Sequence, residues 1–294
     1  MNGTEAYQKR GYLREKFRLF HLRDVGAEEL SYHYHEFDKL VIFLSGSASY
    51  IIEGRSYFLQ PWDVLLVSHH LIHKPVIDPR QPYERVVIYL DPDFLEESSG
   101  RDPLNTCFRT AEERRFALMR MGGDDLARLQ VRLARLEEAL AGEDFGADLL
   151  ARTCFLQLLI HLNQVMLRDR TDRRREASRH DPKIAQALDY INSHLDQPLT
   201  VDQLAGLVYS SKYHFMRRFK ELTGVSVHRY VSEKRLLAAA GLLRQGVPAQ
   251  AAALRCGFQD YSTFQRAFKR QFQATPRAFS DHGPTPVETH KKKL

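Results

Sequence analysis

The stretch SSKYHFMRRFKELTGVSVHRY (Ser210–Tyr230) decides the fold of the C-terminal third of this chain. A weaker copy, DYSTFQRAFKRQFQATPRAF, follows at Asp260–Phe279. Equivalent residues of the two stretches, such as Arg217 and Arg266, are 49 positions apart. A repeat with a period of this size usually reflects two structurally equivalent units.

Helix signals around the first copy predict two short helices joined by a tight turn. Thr200 is placed to cap Val201–Tyr209, and Ser211 is placed to cap Lys212–Leu222, because hydroxyl side chains accept hydrogen bonds from the first turn of a helix. Gly224 provides a stop for the second helix. Two short helices in this arrangement are typical of a helix-turn-helix.

The same signals recur in the second copy. Pro248 is suited to start a helix at Ala249–Arg255, and Asp260 is suited to cap Tyr261–Phe272. Between the two copies, the apolar spacing of Val227–Gln245 predicts a long helix that could join the two units rigidly.

Charge is unevenly distributed along the chain. Residues 181–294 contain 17 lysine and arginine residues against 9 aspartate and glutamate residues, whereas residues 1–180 contain 26 against 28. A positive surplus confined to the C-terminal part is the electrostatic footprint expected of a domain that binds a polyanion such as DNA.

The C-terminal segment resembles the DNA-binding domain of the AraC/XylS-type transcription regulators, which has two helix-turn-helices joined by a long helix. The resemblance rests on LAGLVYSSKYHFMRRFKELTGVSVHRYV, KRLLAAAGLL and CGFQDYSTFQRAFKRQFQATPRAF, and it covers about Lys183–Ser280. The departures are Pro248, Ala249 and Ala252 (the family usually has isoleucine at the two alanines) and Gln273, where it usually has glycine. These departures predict that the second helix-turn-helix packs less tightly than the first.

A recognition helix enters the major groove with its N-terminal and outward-facing residues toward the base edges. Arg217 and Arg266 can each form a bidentate contact with guanine, and Gln265 can form one with adenine. Lys220 and Lys269 are expected to contact phosphates. The predicted DNA-binding residues are Lys212, Tyr213, Met216, Arg217, Lys220, Tyr261, Ser262, Gln265, Arg266 and Lys269.

The N-terminal half has the pattern of short antiparallel strands. From about Phe17 to Tyr89, runs rich in β-branched and aromatic residues alternate with turn residues, which predicts a barrel or sandwich. Within it, His33–Pro75 resembles the cupin-like sensor domain that precedes the helix-turn-helices in this family, through its His-x-His motif and the later P-x-D motif. The resemblance implies a domain that senses a small molecule.

Three histidines of this segment, His33, His35 and His73, could supply imidazoles to zinc or iron. Metal-binding cupins normally carry an acid shortly after His-x-His, but Lys39 stands here and would repel a divalent cation. The sequence therefore predicts no metal and no cofactor. His33 and His35 alternate with tyrosines and face one side of a strand. With Lys39 and His73 they form a candidate effector pocket, in which the lysine could pair with an anionic effector.

Two amphipathic helices are predicted after the strands, at Asp124–Gly142 and Phe145–Leu167. They have more apolar surface than a small sheet needs to cover, so a homodimer interface is expected. Polar residues interrupt Leu149–Leu167, which excludes a membrane span there. The N-terminus lacks the features of a signal peptide, and the three cysteines fit no metal or redox spacing, so a cytoplasmic protein is expected.

The predicted fold is a two-domain α+β chain: an antiparallel cupin-like β-barrel with a helical dimerisation region, then an all-α tandem helix-turn-helix domain. The predicted boundaries are 1–167 for the sensor domain, 168–182 for an arginine-rich solvated linker, 183–281 for the DNA-binding domain and 282–294 for a tail. The predicted function is a non-enzymatic, sequence-specific transcription regulator that binds promoter DNA, a small-molecule effector and RNA polymerase. Two alternatives are open: a metal-dependent cupin enzyme fused to a DNA reader, and a regulator controlled by a protein partner.

Overall fold

The computed structural model describes residues 8–9, 13, 15–26, 30–168 and 178–282. The chain divides into two compact units, Met1–His180 and Asp181–Leu294. Most of the predicted linker and almost all of the predicted C-terminal tail lie outside the described residues. The described end of the linker range is a short strand at 178–180, followed by the helix cap Asp181.

The described residues of the first unit form two β-sheets. One has the strand order β1-β3-β8-β5-β6-β11 and the other has the order β10-β7-β4-β9-β2. Their pairings are antiparallel except for β1 with β3, which is parallel. The strands are β1 (Gln8–Lys9), β2 (Phe17–Asp24), β3 (His33–Tyr34), β4 (Asp38–Ser45), β5 (Ala48–Ile52), β6 (Arg55–Phe58), β7 (Val64–Val67), β8 (His73–Ile77), β9 (Tyr83–Leu90), β10 (Leu118–Met119) and β11 (Ser178–His180).

Strand β4 lies at the centre of a layered core and is buried over most of its length. Its residues Val41 and Phe43 belong to an apolar cluster shared with the other sheet, which includes Tyr50 and Tyr57. The alternate residues, such as Leu40, belong to a second cluster shared with the helices. Burial on both faces explains why this strand is a continuous apolar run rather than an alternating one.

Four helices complete the described part of the first unit: α1 (Pro92–Glu97), α2 (Thr106–Glu113), α3 (Gly123–Ala141) and α4 (Ala147–Arg168). Leu129 and Leu133 of α3 and Phe155 and Leu158 of α4 are buried against the central sheet. Among the described residues, α4 is long and apolar enough to cross a membrane by length and composition. Its buried face packs in the core, as in an ordinary core helix.

The second unit is helical: α5 (Pro182–Ser193), α6 (Val201–Leu207), α7 (Lys212–Thr223), α8 (Val227–Arg244), α9 (Ala249–Arg255), α10 (Tyr261–Phe272) and α11 (Pro276–His282). The predicted caps are present. Thr200 accepts a hydrogen bond from the N–H of Gln203 at 3.1 Å, and Asp260 accepts one from Thr263 at 2.6 Å. Gly224 ends α7 in the left-handed conformation, with φ 79°.

Helix α8 connects the two helix-turn-helices and packs against α7, α9, α10 and α11. Its Arg235 donates hydrogen bonds to the carbonyls of Leu195 (2.8 Å) and Gln197 (2.6 Å), which fixes it to the segment between α5 and α6. Gly257, after α9, is required there, because a Cβ would lie 2.3 Å from the Leu195 carbonyl oxygen. These contacts bind the helices of the second unit to one another.

Several predicted boundaries were wrong. Helical structure begins at Pro92, before the first of the two helices predicted after the strands. Helix α6 ends at Leu207 and does not reach Tyr209, which takes a left-handed conformation with φ 49°. Glu53 and Gly54, with φ 45° and 73°, form the turn between strands β5 and β6. Helix α5 was not predicted, nor were the two-residue strands, whose pattern is carried by too few residues.

Candidate nucleic-acid interface and sensor site

Helix α7 presents the first set of predicted DNA-binding residues to solvent. Phe215 and Phe219 are buried on its opposite face, and the Ser211 hydroxyl accepts the N–H of His214 at 3.4 Å to cap it. This amphipathic arrangement leaves the N-terminal end of the helix open to a ligand. The exposed predicted residues are Lys212, Tyr213, Met216, Arg217 and Lys220.

Helix α10 presents an equivalent set. Phe264, Phe268 and Phe272 are buried. The helix ends at Gln273, which has φ 56°. A non-glycine residue in this left-handed conformation costs about 1–2 kcal/mol, so the departure from glycine has a physical consequence. The exposed predicted residues are Tyr261, Ser262, Gln265, Arg266 and Lys269.

Acidic neighbours hold several cations of α7 in place. Lys212 Nζ lies 2.8 Å from Asp202, and Arg217 Nε lies 3.5 Å from Glu221. Both pairs are exposed and therefore weak enough to yield to a phosphate or a base. A third pair joins Arg218 to Asp181 and was not predicted. The sequence signal for Asp181 was the Asp-Pro at 181–182, which is typical of a helix start.

In the first unit the structure brings the three predicted histidines together. His33 and His73 are cross-strand partners on β3 and β8, with ring centroids 4.4 Å apart. The ring of His35 lies 5.2 Å from His33 and 5.0 Å from His73. All three side chains are buried, and one ring nitrogen from each lies within 4.8 Å of the others. We call these three residues the histidine cluster.

Backbone carbonyls orient two of the rings. The Nδ1 atom of His33 lies 2.8 Å from the Ser31 carbonyl oxygen, and Nδ1 of His73 lies 2.9 Å from that of Leu71. Because a carbonyl only accepts, Nδ1 carries the proton in both rings and Nε2 carries a lone pair. Burial lowers the pKa of His73 well below its usual value, and the charges of Lys39, His33 and His35 lower it further.

Lys39 is buried in the same unit, although a lysine at the start of a strand is ordinarily solvated. It stands opposite Tyr89 and Val67 on the neighbouring strands, and its Nζ lies 5.8 Å from the centre of the Tyr50 ring. Tyr89 also lies 5.8 Å from the His35 ring. Burial lowers the pKa of Lys39 to about 7, and the positive charge of Arg85 adds to the effect.

Comparison with protein families accounts for both units. A helix-turn-helix domain model matches residues 204–282, and a model of the AraC-like ligand binding domain matches residues 22–159. The chain belongs to the AraC family. It is a DNA-binding transcription regulator with an AraC-like ligand-binding domain, and the predicted family and fold class are confirmed.

Curated relatives agree with this assignment. The chain is 26% identical over 254 residues to the HTH-type transcriptional activator RhaS of Citrobacter koseri, which covers 83% of this chain and 85% of the relative. It is also 26% identical over 253 residues to RhaS of Klebsiella pneumoniae, with the same coverage. Both relatives are named as transcription activators.

A comparison with solved structures found chains of similar structure. The DNA-binding domain of AdpA in complex with a target DNA is 31% identical and covers 34% of this chain and 91% of that chain, with a TM-score of 0.33. ToxT from Vibrio cholerae O395 is 14% identical and covers 92% of this chain and 99% of that chain, with a TM-score of 0.36.

Proposed function

We propose that this AraC-family protein is a sequence-specific regulator that reads promoter DNA with α7 and α10 and is controlled by a small ligand in its first unit. It acts in the cytoplasm as a homodimer, without catalysis, and works through RNA polymerase. Because the curated relatives are named activators, we extend that sign of regulation to this chain.

The observation that carries the DNA-reading role is the equivalence of the two exposed helix faces. Arg217 and Arg266 occupy matching positions on α7 and α10, and both are exposed. Each can form a bidentate contact with guanine that is worth about 1–3 kcal/mol of discrimination. Lys220 and Lys269, also exposed and also matched, are placed one turn further along for phosphate contacts.

The ligand-sensing role is assigned to the histidine cluster and Lys39. Burial of a charged group costs free energy, so a lysine buried near His73, whose pKa its charge lowers, is expensive for a purely structural core. A ligand that interacts with these groups would bind the folded first unit and bias the conformation of the chain.

The homodimer is assigned to an apolar stripe on α4. Leu149, Ile160 and Leu167 are exposed there, by 68%, 45% and 57%, and their spacing places them along one side of the helix together with the half-buried Leu156. On α3, Val131 is likewise exposed. Large apolar side chains grouped on one helix face are typical of an association surface.

The proposal is tested by comparing the affinity of the purified chain for its selected DNA site with that for a scrambled duplex of the same composition. A specific regulator binds its site at least ~10³-fold more tightly at physiological salt. Repeating the titration with candidate small molecules tests the sensing role. Equal affinity for both duplexes would contradict sequence-specific recognition.

A further inference from the structure

The histidine cluster has a feature that effector control by itself does not explain. Three imidazoles, each nearly or fully buried, point one ring nitrogen apiece into a common region within 4.8 Å. His73 Nε2 is buried and has no hydrogen-bond partner among the described residues. Buried nitrogen atoms of native proteins normally have a hydrogen-bond partner or a ligand, so we expect this atom to bind a partner.

The tautomers determine which kind of partner fits. Since Nδ1 of His33 and of His73 face the carbonyls of Ser31 and Leu71, their Nε2 atoms are lone-pair donors. Lone pairs directed at one another repel, whereas a cation placed among them is attracted to each. A ring N–H held by a backbone carbonyl is also the arrangement that orients metal-ligating histidines in proteins.

The distances admit an ion after a small adjustment. Zinc–imidazole bonds of about 2.0–2.1 Å place the nitrogens of a tetrahedral site about 3.4 Å apart. Three nitrogens at the corners of a triangle with sides of 4.8 Å would each move inward by about 0.8 Å to reach that spacing. Rotation of the rings can supply such a movement. Burial of all three rings also favours an ion over a larger organic molecule.

We propose that His33, His35 and His73 bind one divalent transition-metal ion of the zinc class. The imidazole donors suit zinc, copper, iron and nickel, and not the oxygen-seeking calcium or magnesium. Three protein ligands leave a further position for water or an oxygen of an effector. The inference names the ligand class of the proposed sensor, and its regulatory meaning rests on that proposed function. It also replaces the expectation from sequence that no metal binds.

Lys39 opposes the metal, because an ammonium group near the histidine cluster repels a divalent cation. A substitution of Lys39 should therefore raise the metal affinity, whereas loss of a histidine ligand should lower it. Lys39→Met removes the positive charge and keeps a side chain of similar length, so metal affinity should increase about tenfold. A gain of affinity cannot be produced by misfolding.

The experiment uses the full-length chain, purified without a polyhistidine tag and stripped with a chelator. Co²⁺ is titrated and followed by its visible absorption, and Zn²⁺ is then added as a competitor. We expect one ion per chain. His33→Gln and His73→Gln should each weaken binding at least ~10-fold. His228→Gln, which changes an exposed histidine on α8, serves as the matched control and should leave binding unchanged.

Circular dichroism and DNA binding of each variant report whether the chain is folded. Absence of saturable Co²⁺ and Zn²⁺ binding by the wild-type chain would overturn the metal site. So would unchanged affinity in folded His33→Gln and His73→Gln variants. A wild-type chain that reads its DNA site but takes up no metal refutes this inference and leaves the proposed regulator intact. A chain that binds metal but shows no preference for its DNA site supports the metal site and refutes the proposed regulator.

Discussion

Asp181 and Arg218 form an ion pair in which the arginine Nε donates to the aspartate Oδ2 at 2.8 Å. The other carboxylate oxygen accepts the backbone N–H groups of Lys183 (3.1 Å) and Ile184 (3.3 Å) and so caps α5. Arg218 lies on α7, and Asp181 immediately follows strand β11. One carboxylate thus joins the first residue of the second unit to a recognition helix.

Loss of this carboxylate should destabilise the second unit. Asp181→Ala removes the cap and the ion pair and should lower the free energy of unfolding by about 1–2 kcal/mol. Asp181→Ser keeps a capping oxygen, so only the exposed ion pair is lost, which costs about 0–1 kcal/mol. Urea denaturation of the full chain measures both. Equal losses in the two variants would argue against a capping role.

The Asp181–Arg218 ion pair should also make the stability of the second unit depend on pH. Burial alone would raise the pKa of Asp181, but the hydrogen bonds from Arg218 and from the backbone outweigh it and lower the pKa. The stabilisation is therefore present above the unfolded pKa of about 4 and is lost as the pH falls below it. The difference between wild type and Asp181→Ala should shrink over that range.

Arg217 and Lys220 should differ in the kind of DNA affinity that each supports. Arg217→Ala should relax base preference at one position of the site, with a loss of about 1–3 kcal/mol on the preferred sequence alone. Lys220→Ala should weaken binding to all sequences similarly and reduce the salt slope by about 1. Anisotropy titrations at several salt concentrations measure both. An equal loss on specific and random DNA for Arg217→Ala would refute its base-reading role.

Burial of Lys39 should make the stability of the first unit depend on pH. Its folded pKa of about 7 lies below the unfolded value of about 10.4, so between these values the unfolded chain binds the extra proton and stability rises with pH. Lys39→Met should therefore stabilise the unit more at pH ~7 than at pH ~9, by about 1–2 kcal/mol. Thermal unfolding at the two pH values checks this. A gain independent of pH would show that the lysine does not titrate in this range.

The apolar stripe of α4 should hold the dimer together. Ile160→Glu places a charge within the stripe and should convert the chain to a monomer, since an unpaired charge is costly in a desolvated interface. Ile160→Leu keeps the apolar area and serves as the matched control. Analytical ultracentrifugation of both variants measures the assembly. A dimer that survives Ile160→Glu would place the interface elsewhere.

Much of the second unit could be predicted from sequence because its signals are local. Thr200, Ser211 and Asp260 lie next to the helices that they cap, and the phenylalanines of α7 and α10 repeat at helical spacing. Helix α5 was missed although Asp181 and Pro182 mark its start, because a polar, arginine-rich segment precedes it.

The candidate sensor site depends on contacts that sequence does not contain. The motif groups His33 with His35, but their approach to His73 requires the pairing of a two-residue strand with β8. Burial of Lys39 depends on Tyr89 and Tyr50, which belong to two other strands. Long-range register of this kind is specified by the packing of both sheets together.

Selection of bound fragments from a random DNA pool tests the central claim most directly, when the wild-type chain is compared with Arg217→Ala and Arg266→Ala. Two recognition helices on one connector should enrich a site with two preferred segments about one helical turn apart. Arg266→Ala should erase preference in one segment. Arg217→Ala, in the first helix-turn-helix, which is predicted to pack more tightly than the second, should reduce enrichment more strongly. Failure of the wild-type chain to enrich any sequence, or identical enriched sites for all three proteins, would contradict the account.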